Sequence, residues 1–81
     1  MTRAAPERDR RLGDAVIDLY VDWREQCSAV SLAYERWRGA SKKDRASAFA
    51  AYNTALDREE RASDVYAALI RQLTPPAPQP A

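Results

Sequence analysis

Val16, Tyr20, Trp23, Cys27, Val30, Tyr34 and Trp37 are separated by alternating steps of four and three residues. After a short Gly39-Ala40-Ser41 break, Phe49, Tyr52, Leu56, Tyr66, Ile70 and Leu73 keep the same period, interrupted near Glu59 and Ser63. A repeat of this kind lays one apolar stripe along each of two helices, and so short a break leaves room only for a fold-back. The sequence therefore predicts an all-α, coiled-coil-like antiparallel two-helix hairpin with these thirteen residues as its core, dimerising into a four-helix bundle.

Local signals set the expected boundaries. Residues 1–5 are read as disordered, 6–74 as the helical hairpin and 75–81 as a Pro-rich disordered tail compatible with polyproline geometry. Within the hairpin the first helix is expected over about 7–38, the turn at 39–41 and the second helix over about 42–73. Pro6 suits a first turn, where its missing N–H is not needed. Gly13 weakens the first helix by about 1 kcal/mol relative to alanine. Gly39 is placed to end it in a left-handed conformation. Ser41 with Asp44 three residues on resembles a capping box with a shortened carboxylate, and Thr74-Pro75-Pro76 stops the second helix.

A turn at 39–41 pairs residues whose numbers add to about eighty. Trp37 then lies beside the first turns of the second helix, Val30 near Phe49 and Tyr52, Trp23 opposite Leu56 to Glu60, and Val16 near Ser63 to Tyr66. The polar run Asp57-Arg58-Glu59-Glu60-Arg61 falls opposite Tyr20 and Trp23. A buried indole N–H or phenol O–H needs an acceptor, so Glu59, or failing that Glu60, is expected to accept from one of these rings; the alternative is a seam that opens there and leaves Glu59 in water.

Further apolar residues lie off the stripes: Leu12, Ile17, Leu19, Val21 and Leu32 in the first helix, Val65 and Leu69 in the second. Ala48, Ala51, Ala55 and Ala62 make a smooth strip that lets another helix approach closely. Two helices in contact hide one stripe each, so an interface is expected on Ala48, Ala51, Ala55, Ala62, Val65 and Leu69, with Ile17 and Val21 on the other helix. A second copy is the expected partner, and a different helical protein is the alternative.

Composition narrows the function classes. Eighty-one residues make one domain near the lower limit of self-sufficiency. The single cysteine, Cys27, sits in a core stripe and is read as a small buried thiol, in keeping with a reducing cytoplasm. No apolar run reaches membrane length, and residues 1–6 lead into charge and not into a signal-peptide core. Eleven arginines against two lysines, with sixteen alanines, match coding from a GC-rich, bacterial genome.

The net charge of +1 hides an uneven distribution. Residues 35–45 carry five cations against Glu35 and Asp44, an excess of +3. Residues 12–34 carry Asp14, Asp18, Asp22 and Glu25 against Arg24, an excess of −3. Basic turn and acidic limb on one rod are compatible with head-to-limb contact between subunits, but solvated surface charge is the reading preferred.

Chemistry is sparse. Asp14, Asp18 and Asp22 share a helical face, and oxygen clusters suit Mg²⁺ or Ca²⁺, but with no histidine the chain lacks the Glu-x-x-His motif of di-iron bundles. A solvated face or ion pairs to Arg58, Arg61 or Arg71 is the reading preferred. Glu59 and Glu60 point about 100° apart, so they cannot serve one substrate as acid and base. With two glycines there is no phosphate loop or nucleophile elbow. No enzyme activity, cofactor or metal is expected. The basic segment Arg36 to Arg45 beside Trp37 is the best candidate for nucleic acid. Trp37 is in phase with the core, however, so protein contact is the expected mode.

Trp37-Arg38-Gly39 is a W-x-G tripeptide at the turn of a helical hairpin. It resembles the W-x-G family of small helical-hairpin proteins exported by the type VII system of actinobacteria and related Gram-positive bacteria. The resemblance implies a secreted hairpin and covers the tripeptide, its position and the architecture. The Tyr-x-x-x-Asp/Glu export signal of that system does not occur near the end of the second helix, where Tyr66 is followed four positions on by Ile70.

Overall fold

A computed structural model describes residues 4–73, with side chains from Arg10 onward. The protein is all-helical: α1 spans Ala4–Gly39, α2 spans Arg45–Leu73, and the two pack against each other as a hairpin. Residues 1–3 and 74–81, which include the expected Pro-rich tail, lie outside the described residues. α1 begins at Ala4, earlier than the expected 7, and this still leaves Pro6 in the first turn, where backbone N–H groups have no helical partner.

The turn differs from the one expected. Gly39 closes α1 without a positive φ, and the left-handed cap does not form. Instead the Ala40 N–H bonds the Trp37 carbonyl at 3.2 Å, a three-residue closure that tightens the helix end. Ser41 then caps a short turn over residues 42–44. Its carbonyl and its hydroxyl oxygen both accept from the Asp44 N–H, at 3.0 and 3.3 Å. The Asp44 carboxylate, one methylene shorter than the usual Glu, meets the Ser41 hydroxyl at 3.2 Å. Half of a capping box is therefore made, and α2 starts at Arg45 rather than Lys42 because residues 42–44 belong to the turn.

Those added residues move the register. Trp23 stacks on Tyr66 at 5.8 Å and 12°, and Trp37 stacks on Tyr52 at 5.4 Å and 18°. Both pairs add to 89, not eighty. The longer turn shifts its centre from 40 to 42, which accounts for part of the change. Helical side chains lean toward their own N-terminus, so in an antiparallel pair each ring meets one further along the partner, which accounts for the rest.

The seam is also rolled. In α1 the half-buried line is Val16, Leu19, Trp23, Gln26, Val30, Ala33 and Trp37, continued by Ala40 just past the helix end; in α2 it is Ala48, Tyr52, Ala55, Glu59, Ala62, Tyr66 and Leu69. Among the described residues only Ala55 and Ala62 are fully buried, each 8% exposed. Of the expected core, Cys27, Leu56 and Ile70 are half-buried at its edge, whereas Tyr20, Tyr34, Phe49 and Leu73 are exposed. The expected interface residues Ala55 and Ala62 instead belong to the hairpin's own seam. Helices packed 8–10 Å apart accept a methyl group between their axes but not a ring pointing inward, so small residues take the centre and rings lie along one flank.

Neither glycine is needed for its backbone. A Cβ at Gly13 or Gly39 meets nothing within 4 Å, and neither φ is positive. Gly13→Ala is expected to raise stability by about 0.5–1 kcal/mol, and Gly39→Ala by a few tenths, both read as higher midpoints in urea unfolding followed by circular dichroism.

Candidate functional site

Rolling the seam gives the hairpin two unlike faces. On one, Tyr20 sits edge-on to Trp23 at 6.0 Å and tilted against Tyr66 at 5.8 Å. Nearer the turn, Tyr34 packs against Trp37 and Tyr52, and Phe49 lies 4.9 Å from Trp37. The other face is smooth and carries two shallow grooves. One is lined by Asp22, Gln26, Arg58, Arg61, Ala62 and Val65. The second, nearer the turn, includes Ala33, Arg36, Ala40, Ala48 and Ala51.

Inside the seam the expected acceptor is present. The Trp23 indole N–H donates to Glu59 Oε2 at 2.7 Å, and the Cys27 thiol lies 4.0 Å from the same oxygen. α2 carries this glutamate inward because position 59 falls on the same heptad line as Tyr52 and Tyr66. A carboxylate there is kept by its charge-assisted bond and by its open edge, since the site is only partly buried. Glu59 is thus engaged by a neighbouring ring and holds register.

The eight expected interface residues do not form one surface. Ala51 and Val65 are exposed and line one groove each, Ala48 is half-buried in the groove nearer the turn, Leu69 is half-buried outside both, and Ala55 and Ala62 are buried in the seam. Ile17, 60% exposed, and Val21 project with Leu32 from the back of α1, away from the seam. Gln26, Ala33 and Ala40 were not among the expected residues, although with Leu19 they repeat every seven positions. Only Leu19 of that line is large and apolar, so the hydrophobic pattern did not mark it.

The charged candidates resolve similarly. In the basic turn Arg38 reaches Glu35 at 3.8 Å and lies over the Tyr34 ring at 5.9 Å, while Trp37 is wedged among Tyr34, Phe49 and Tyr52. Asp14, Asp18 and Asp22 are exposed along α1, and Asp22 accepts from the Gln26 amide at 3.4 Å. Among the described residues no group of three or more acidic or cysteine side chains comes together to hold a metal, and no helix is long and apolar enough to cross a membrane.

Comparison with protein families, with curated proteins and with solved structures finds no match to this chain.

Glu59→Ala removes the acceptor of a partly buried indole. It is expected to destabilise the hairpin by about 1–2 kcal/mol and to shift Trp emission, measured by fluorescence-detected urea unfolding. Glu60→Ala, at an exposed position, is expected to leave both unchanged.

Proposed function

We propose that this chain is a small non-enzymatic helical-hairpin scaffold that works through protein–protein contact, chiefly self-association into a four-helix bundle, in the cytoplasm. One observation carries the reading. Among the described residues two alanines are fully buried, while eight large apolar side chains remain 39–60% exposed. Burying such a side chain contributes about 1.5–3 kcal/mol, and much of that is unrealised in a single copy. A small domain with so thin an interior, and with a single cysteine that allows no disulfide within the chain, gains stability from oligomerisation.

The engaged state of the other candidates supports the same reading. Glu59 accepts from Trp23 and Trp37 is packed in the seam, so two of the residues with most chemical potential already have structural partners. A secreted hairpin of the W-x-G kind would share the architecture and rests on the tripeptide alone.

Sedimentation equilibrium on the 9.1 kDa chain tests the proposal. A mass near that of two chains is expected at tens of micromolar, with a thermal midpoint that rises with protein concentration because assembly stabilises the folded state. A well-folded monomer whose midpoint ignores concentration would overturn it.

A further inference from the structure

Two lines of residues on the smooth face carry a pattern that a single hairpin does not use. On α1, Asp22, Ala29 and Arg36 recur every seven residues: an acid, a small residue and a base. On α2, Ala51, Arg58 and Val65 do the same: a small residue, a base and a 46% exposed valine. Asp22 and Val65 line one groove, Arg36 and Ala51 the other. Among the described residues the one ion pair is Arg38 with Glu35, so Asp22 and Arg36 have no charged partner among them.

We infer that this face is the contact between two copies, docked antiparallel, with Asp22 of each paired to Arg36 of the other and Val65 of each set over Ala51 of the other. The inference rests on the reading that the chain self-associates. Antiparallel stacking places α1 over α1 and α2 over α2. A two-fold axis that exchanges positions 22 and 36 passes level with Ala29. One that exchanges 51 and 65 passes level with Arg58. These are the same axis only if residues 29 and 58 lie at the same height in the hairpin. They add to 87, and the aromatic pairs that meet across the seam run from 86 for Tyr34–Tyr52 to 89 for Trp37–Tyr52, while the longer-reaching Trp23–Glu59 bond adds to 82. Two independent lines, one electrostatic and one steric, therefore call for a single axis.

Charge along the rod selects the same direction. Antiparallel docking lays the basic turn, +3 over residues 35–45, against the other copy's acidic limb, −3 over 12–34, whereas parallel docking sets turn against turn. Exposed Ala29 at the crossing point lets the two α1 helices approach closely. Arg58 is the one unfavourable element, since its two copies meet near the axis.

A charge exchange on the full-length chain tests the geometry. Asp22→Arg and Arg36→Asp are each expected to weaken self-association on the order of tenfold in sedimentation equilibrium, because each homodimer gains two like-charge contacts. Their equimolar mixture is expected to recover wild-type affinity, since both contacts are then of opposite sign. Arg58→Ala is expected to tighten the dimer, and Val65→Asp to loosen it. Circular dichroism confirms that each variant keeps its helix content. A wild-type dimer whose mixed variants fail to recover, or that Arg58→Ala weakens, overturns this docking while leaving self-association standing. A folded wild-type monomer overturns both.

Discussion

Two Trp–Tyr stacks hold the hairpin in one register, and most of its other features follow from them. Trp23 on Tyr66 and Trp37 on Tyr52 are separated by fourteen residues on both helices, so both form at the same alignment. A slip of one heptad in either direction sets both tryptophans against Glu59, Arg45 or Leu73 and loses both stacks. A slip of two heptads keeps one at most. Each aromatic pair contributes about 0.5–1.5 kcal/mol beyond the area it buries, and each stack brings further rings with it. Discrimination against wrong registers is thus several kcal/mol, although little of the chain is hidden from water.

Stacking also decides which way the helices roll. Flat contact between an indole and a phenol requires the rings to lie along the side of the seam, not between the axes. The space between the axes then falls to Ala55 and Ala62, and Gln26 and Glu59 enter the half-buried line with them. Glu59 is tolerable there because the ring that displaces its water also supplies a donor. The result is a hairpin with one face of rings and one of methyl groups, an asymmetry that neither helix has in isolation.

How much of this could be read in advance depends on what each residue type signals. Large apolar side chains at three and four spacing specify two helices and their fold-back, and Val16, Trp23, Val30 and Trp37 with Tyr52 and Tyr66 lie half-buried in the seam. Tyr20, Tyr34, Phe49 and Leu73 follow the same hydrophobic pattern yet are exposed. The three rings are too large for the space between close helices, and alanine gives a weak signal in any hydrophobic pattern. Gly39 misled for a related reason. Glycine is common where a left-handed residue ends a helix, yet here a three-residue hydrogen bond closes α1 and the chain leaves through Ala40. The bond from Trp23 to Glu59 was legible despite the altered register because glutamate has the reach to absorb the offset.

The two faces are not equally suited to a second copy. Rings on the aromatic face already meet one another at 4.9–6.1 Å, and the phenol groups of exposed Tyr20 and Tyr34 are best served by water. Further packing there would bury polar hydroxyls for the gain of ring edges. The smooth face has the opposite balance. Ala29 and Ala51 allow backbone approach, Val65 supplies a projection of matching size, and Asp22 and Arg36 lie at the rim, where opposite charges steer orientation without complete desolvation. The same close approach that drove the rings out of the hairpin seam is what the methyl face can offer to another helix. On that logic the aromatic side sets how one chain folds, and the alanine side is the one on which the proposed second copy docks.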